Sequence, residues 1–267
     1  MLYARCPGDC TKCPHRNLPI VYRIRSRRRG DSLGVNLYPG RKVCSFDCVY
    51  CFRGPTAVKT LHPVDLGYPA PRDLEKALEL ALGDSADVRS IDFSGNGEPT
   101  LHPRLAELAR VARAVAASHG VSASFGVFTN SSTFGERRVL EALQFFDHVE
   151  AKLDTADSAK FRALNRPVAG LELERVVEGL RRSRKAYGGA LAVQVMLVDS
   201  GPLSNASPED ARALADVLSG IEPDEVHVYT VYRPPWTGAV SKPERSRFEA
   251  FARELERSGF RARTYYE

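Results

Sequence analysis

The stretch CSFDCVYCF, residues 44 to 52, holds Cys44, Cys48 and Cys51 with three and then two residues between them. Thiolates this close together serve a metal or an inorganic core. A structural zinc ion wants four protein ligands, and no fourth Cys or His lies in the stretch. Three cysteines favour an iron-sulfur cluster whose remaining iron has an open position. Such an iron can chelate a substrate or cosubstrate and pass it an electron, which makes the cluster a reagent. The same spacing recurs in CPGDCTKCPHR at Cys6, Cys10 and Cys13. There an auxiliary iron-sulfur cluster is expected, its free position going to His15, Asp9, substrate or water. A Cys3His zinc knot using His15 is the alternative. Six cysteines in two tight groups fit metal binding better than disulfides or incidental buried thiols.

Further along, polar residues collect where apolar runs end. In Ser94-Gly95-Asn96-Gly97-Glu98-Pro99, glycines let a backbone approach a ligand closely and Glu98 can complement an ammonium; a Gly/Asn turn with a solvated glutamate is the plainer reading. Phe128-Thr129-Asn130-Ser131-Ser132 forms a polar rim that serves either a ligand or the cap of the next helix. In Glu150-Ala151-Lys152-Leu153-Asp154, alternation sends the three charged side chains to one interior face. Unpaired charge there is costly, so a polar ligand explains it better than packing does, with an internal pair of Lys152 and one acid as the alternative. The run Val226 to Arg233 ends in Pro234-Pro235-Trp236, where Tyr232, Arg233 and Trp236 offer stacking and an anion clamp for a substrate. His227 reads as a satisfied core residue.

These groups need a scaffold that brings them together. From Asp31 onward, short β-branched or aromatic runs alternate with longer stretches of helical period, which predicts βα units around a parallel sheet. Strands are expected at Leu33 to Leu37, Val88 to Phe93, Ser122 to Phe128, His148 to Leu153, Leu191 to Val198 and Glu225 to Val231, with a last one at Phe260 to Tyr266. Helices are expected at Pro71 to Leu82, Pro103 to Ser118, Glu136 to Phe146, Leu171 to Tyr187, Pro208 to Leu218 and Lys242 to Arg257. Small polar caps before Pro and acids mark two of the starts, at Ser207 and Ser241. The fold class is α/β, a partial (β/α)6 TIM-like barrel with an N-terminal Cys-rich extension. Residues 1 to 30 form that Cys/Arg-rich extension, 31 to 240 the barrel core, and 241 to 267 a C-terminal helix and strand packed on the barrel. In such barrels chemistry sits on loops at the carboxyl ends of strands, where each motif from residue 44 onward falls.

C-x3-C-x2-C with Tyr50 before the third cysteine, in the loop after the first strand of a βα series, resembles the signature of the radical S-adenosylmethionine (SAM) superfamily. The resemblance covers roughly Leu33 to Trp236. It implies that Cys44, Cys48 and Cys51 hold a [4Fe-4S] cluster and that the amino and carboxylate groups of SAM chelate the fourth iron. Reductive cleavage then yields methionine and a 5′-deoxyadenosyl radical, which abstracts hydrogen from a substrate. Tyr50 would lie beside the adenine, and the end of the fifth strand, near Val198, would wall it. Gly95 to Pro99 resembles the Gly-Gly-Glu-Pro motif that grips the methionine amino group, although Asn96 separates the glycines. Asn130 lies in an element similar to the Thr-Asn-Gly of glycyl-radical activating enzymes, with Ser131 in place of Gly. Glu150 and Lys152 resemble an acidic-x-Lys pair that contacts the SAM ribose and carboxylate, and are the catalytic candidates. Gly95, Asn96, Gly97, Glu98, Asn130, Asp154, Val198 and Tyr232 complete the cofactor site with Tyr50. The family also implies an electron donor such as flavodoxin or ferredoxin.

Wyosine-forming tRNA enzymes resemble this chain in architecture and carry a second cluster on N-terminal cysteines, although theirs are much more widely spaced. The net charge of +5 is uneven, because residues 1 to 30 hold eight Lys/Arg against one Asp and the remainder is near −2. Arg23, Arg25, Arg27, Arg28 and Arg29, with Arg181, Arg182, Arg184 and Lys185, can neutralise phosphates; a solvated basic face or an edge strand is the plainer reading. Three substrate classes follow: a nucleoside in tRNA, a glycyl residue of a partner protein, or a small metabolite or cofactor precursor. A non-catalytic iron-sulfur or zinc scaffold is the contrasting class. Composition, 43% hydrophobic and 27% charged, is that of a globular protein and excludes disordered or fibrous chains. No apolar run approaches the roughly 18 residues of a membrane span, and MLYARCPGDC lacks a signal-peptide pattern. The expected location is the cytoplasm, with no membrane partner.

Overall fold

The computed structural model describes residues 1–5, 18–83, 87–238 and 240–267, so the expectations at Cys6, Cys10, Cys13, Asp9 and His15 lie outside the described residues. Strands β1 (Tyr3–Arg5) and β2 (Val21–Ser26) pair in parallel, and β2 returns antiparallel on β3 (Gly30–Val35). A loop held by the short pair β4 (Val43–Cys44) and β5 (Val58–Lys59) follows. Helices and strands then alternate through α1 (Pro71–Gly83), β6 (Ser90–Phe93), α2 (Leu105–Ser118), β7 (Ser124–Thr129), α3 (Arg137–Leu143) and β8 (His148–Lys152). Two helices, α4 (Ser158–Asn165) and α5 (Leu173–Ala186), precede β9 (Ala190–Leu197). A short hairpin of β10 (Asp199–Ser200) and β11 (Leu203–Ser204) leads to α6 (Pro208–Ser219), β12 (Glu225–Thr230), α7 (Arg245–Arg257) and β13 (Ala262–Tyr265).

Among the described residues the main sheet has the order β1-β2-β3-β6-β7-β8-β9-β12-β13. Every pairing from β3 to β13 is parallel, which gives the mixed α/β partial barrel that the periodicity predicted. Alternation sorts the two faces. Leu33, Val35, Ile91, Phe93, Val127, Val149, Val193, Val195, Val226 and Val228 are buried beneath the helices. Their neighbours Gly34, Asp92, Phe128, Lys152, Gln194, Met196 and Tyr229 line the interior cavity instead. On α1, Leu74, Ala77, Leu78, Ala81 and Leu82 make the buried stripe, a spacing of three and four that only a helix presents on one side.

Two departures from the sequence expectations have local causes. Helix α4 was not foreseen; at eight residues it is short, and its start rests on Asp157 accepting the Lys160 N–H. Helix α7 starts at Arg245, not near Lys242, because Ser241 exchanges backbone hydrogen bonds with Asp199 and is held in a bridge instead of capping. The cap foreseen at Ser207 is present as a full capping box with Asp210, with Pro208 at the first helical turn. No helix among the described residues is long and apolar enough to cross a membrane.

The turn between β2 and β3 reaches across to the last strands. The Arg28 guanidinium lies 5.2 Å from the Phe128 ring centre, 5.3 Å from Tyr229 and 5.8 Å from Tyr265, while Arg27 stacks 4.3 Å over Tyr232. Arg27 and Arg28 therefore reach the last strands of the barrel.

Candidate active site

The cysteine loop is positioned from both sides. On one side Asn36, fully buried just after β3, donates to the Leu18 carbonyl and accepts from the Tyr38 and Asn96 backbones, joining the end of β3 to the turn after β6. On the other, the C-terminal end of α4 receives the loop: Asp47 N–H donates to the Asn165 and Arg166 carbonyls, and Val49 N–H to that of Leu164. Cys44 is buried and Cys48 and Cys51 are half-buried, and all three line one cavity of about 410 Å³.

Each sulfur meets a different donor. Cys44 Sγ accepts from Phe46 N–H and from Asn130 Nδ2, both at 3.4 Å. Cys48 Sγ faces Asn165 Nδ2 at 3.7 Å, and Cys51 Sγ faces the Lys42 ammonium at 3.2 Å. Burial pushes the Cys48 thiol up to about 11 and lifts Cys44 further, helped there by the charge of Glu98. Burial works against the charge of Lys42, yet the adjacent thiolates outweigh it and hold the amine above its ordinary value. Among the described residues no three His, Cys, Asp or Glu side chains converge on a single-ion site. A donor set of thiols alone, on one cavity wall, suits an iron-sulfur core.

Gly97 has φ of +108°, and a Cβ there would lie 1.7 Å from the Val43 carbonyl oxygen, so the glycine lets the turn after β6 pack on the root of the cysteine loop. Gly95 approaches Asn36 in the same way. Asn96, buried, donates to the Tyr38 carbonyl. Glu98 is also buried: one oxygen accepts from Thr100 N–H and Oγ1, the other from Asn130 N–H at 2.6 Å. Burial raises its pKa, against these hydrogen bonds. Asn130 in turn donates to Ser45 Oγ at 2.8 Å, tying β7 to the cysteine loop.

Tyr50 is buried, and its hydroxyl donates to Asp154 while accepting from Asn165 Nδ2 at 2.8 Å. Asp154 also takes Asn165 Nδ2 at 2.7 Å, Lys152 Nζ at 3.1 Å and the Met196 N–H at 2.8 Å. Lys152 bonds the Tyr229 hydroxyl at 2.7 Å and sits 5.0 Å from both the Tyr50 and Tyr229 ring centres. Burial opposes its charge, but Asp154 and Tyr229 outweigh that and raise its pKa. The internal ion pair weighed from sequence is thus present, and Lys152 still lines the cavity.

Glu150 lies behind the wall, fully buried. It accepts from Arg29 at 2.9 Å, Arg28 at 3.5 Å, Gln194 at 2.7 Å and His227 at 2.9 Å. Burial would raise its pKa; the His227 hydrogen bond and the two arginines instead hold it at about 2. His227 reaches Glu225 with its other nitrogen at 3.0 Å, a satisfied core histidine.

The remaining sequence candidates separate. Tyr232 and Arg233 line the cavity, with Arg233 4.5 Å over the Phe52 ring. The Trp236 ring rests against Gly54 and the Trp236 backbone N–H donates to the Cys51 carbonyl at 3.4 Å, so this loop lies on the cysteine loop. Val198 is buried with Val49, Tyr50 and Val231; the β9 side chains on the cavity wall are Gln194 and Met196. Sequence reasoning missed Asn36, Lys42, Asn165 and Tyr229. Lys42 stood two positions before the first cysteine, and Tyr229 was two residues along the face of His227; Asn36 and Asn165 had no local pattern to announce them.

The family described as the Radical SAM superfamily matches residues 39–201. A UPF0026 protein of Methanocaldococcus jannaschii is 30% identical over 223 residues, covering 83% of this chain and 66% of that protein. The chain thus spans about two thirds of that relative's length. Among solved structures, a radical SAM methyltransferase from Sphaerobacter thermophilus superposes with a TM-score of 0.65 at 17% identity, covering 91% of this chain and 68% of that one. TYW1, solved with a lysine-pyruvate adduct, gives 0.60 at 14% identity, covering 85% and 73%. Both are likenesses of fold.

Proposed function

The chain belongs to the radical SAM superfamily and is an enzyme, and from that premise we propose that Cys44, Cys48 and Cys51 hold its [4Fe-4S] cluster, with SAM taken into the adjoining cavity. The observation that carries this is the presence of three thiols, each with its own N–H donor, on one wall of a cavity that also receives Tyr50, Glu98, Asn130 and Lys152. When bound, cluster and SAM together supply a 5′-deoxyadenosyl radical for hydrogen abstraction. The chain's own residues do the positioning. Asp154 fixes Tyr50 against the cavity, Glu98 and Asn130 set the loops around Cys44, and Lys152 presents a cation held by Asp154 and Tyr229. Glu150 acts through Arg28 and Arg29, as a positioning residue.

For the substrate, a nucleoside in tRNA is the reading that uses most of the cavity. Arg27, Arg28, Arg53 and Arg233 line it with Phe52 and Tyr232, while Asp92 and Glu98 are the carboxylates on its wall. The activase reading leaned on the Thr129-Asn130 element and on Glu150 and Lys152, and the charges of the last two are met by internal partners. Cys6, Cys10 and Cys13 would hold an auxiliary cluster, giving about eight irons per chain; about four irons with one zinc would select the zinc knot. A flavodoxin or ferredoxin would supply the electron. The direct test is anaerobic reconstitution, dithionite reduction and addition of SAM: 5′-deoxyadenosine is expected from the native chain and none from Cys51→Ala. A fully loaded native chain that releases none would favour the scaffold reading.

A further inference from the structure

Lys42 brings a charged group into contact with one sulfur of the cysteine loop. It is 8% exposed, and lysine is rarely buried without a counter-charge. Its ammonium donates to the Gly54 carbonyl at 2.7 Å and lies 3.2 Å from Cys51 Sγ, nearer than the 3.7 Å to the half-buried carboxylate of Asp47. The other two sulfurs meet neutral amides, from Phe46 and Asn130 at Cys44 and from Asn165 at Cys48. One corner of the three-thiol site thus carries a fixed positive charge out of water, where Coulomb interactions are strong.

We propose that Lys42 sets the reduction potential of the cluster, by stabilising the reduced state through its charge at Cys51. The inference rests on the reading of Cys44, Cys48 and Cys51 as cluster ligands. The step is a one-electron transfer from a flavodoxin- or ferredoxin-class donor; no bond forms or breaks, and the cluster gains one negative charge that the ammonium faces. Net charge and hydrogen bonds to the sulfurs are the levers by which a protein moves such a potential. The hydrogen bond to Gly54 gives the same side chain a holding role on the cysteine loop, so loss of activity alone would not separate the two.

The test is a redox titration of reconstituted protein followed by electron paramagnetic resonance, with iron counted in each sample. Lys42→Met removes charge and hydrogen bond, Lys42→Gln keeps a donor without charge, and Lys42→Arg keeps the charge. The Met and Gln variants should retain their iron and show at least a tenfold fall in the reduced-to-oxidised ratio at fixed poise, about 59 mV for a one-electron couple. The Arg variant should stay near the native value. Met and Gln variants with full iron and a native potential would overturn the proposal, as would loss of iron in both, which would make Lys42 a scaffold of the loop. A native chain that takes up no iron would overturn the cysteine reading beneath it.

Discussion

At Glu150 a single carboxylate organises the barrel interior, and its burial gives it a pH signature. Its pKa falls from 4.5 in the unfolded chain to about 2 in the fold. A depressed acid contributes stability that is complete above the unfolded value and disappears as pH drops through the folded one. The native protein should therefore lose roughly 3 kcal/mol from this group between about pH 4.5 and 2. Urea unfolding across that window should show a shallower loss in Glu150→Gln than in the native chain. Equal slopes would mean that the carboxylate is not held by Arg28, Arg29 and His227. Sequence alternation revealed that this charge points inward, but it suggested a ligand as the partner. In the fold its partners are His227 and Gln194 on neighbouring strands and two arginines from a turn 121 residues away in sequence, separations that no local pattern spans.

Among the elements, α4 does the most for its length. Its last residue, Asn165, meets Cys48 Sγ, the Tyr50 hydroxyl and Asp154 with one amide, and its final carbonyls receive the loop backbone. Asn165→Ala should cost about 2 kcal/mol, since it removes hydrogen bonds to buried groups. Hydrogen exchange should show faster opening at Val49, Cys51 and their neighbours while the α1 amides stay as protected as before; uniform exchange changes would argue against a local anchor. Strands and helices with strong period were legible, from β3 to β12 and in α1, α2 and α6, because burial of one face writes that period directly. Helix α4 was not, since eight residues with Phe161 and Leu164 as their buried apolar positions give too short a pattern. The cysteine spacing disclosed the centre of the site, and the glycine turn disclosed its neighbour. The amides of Asn36 and Asn165, which bind the two together, are set by tertiary contact alone.

Across the whole molecule, Arg28 and Arg29 of the basic N-terminal segment turn inward to Glu150. Arg23 pairs with Asp31, Arg28 and Arg29 with Glu150, and Arg27 covers Tyr232, while Arg5, Arg25 and Arg27 remain exposed. If a tRNA nucleoside is the substrate, few phosphates are met, by such cavity-lining groups as Arg27, Arg53 and Arg233. The logarithm of the tRNA binding constant should then fall with that of salt concentration with a slope of about −2, three contacts at the single-strand coefficient. A slope near −10 would place the RNA on a broad surface instead, and no binding beside intact SAM cleavage would point to a small metabolite. The central claim is narrower than the substrate. It is that three thiols leave one iron for SAM, and the most direct measurement is electron-nuclear double resonance on the reduced protein with SAM labelled with 15N at its amino group. The predicted result is a 15N coupling to the cluster in the native chain that vanishes in Cys51→Ala; a fully assembled native cluster with no such coupling would contradict the account.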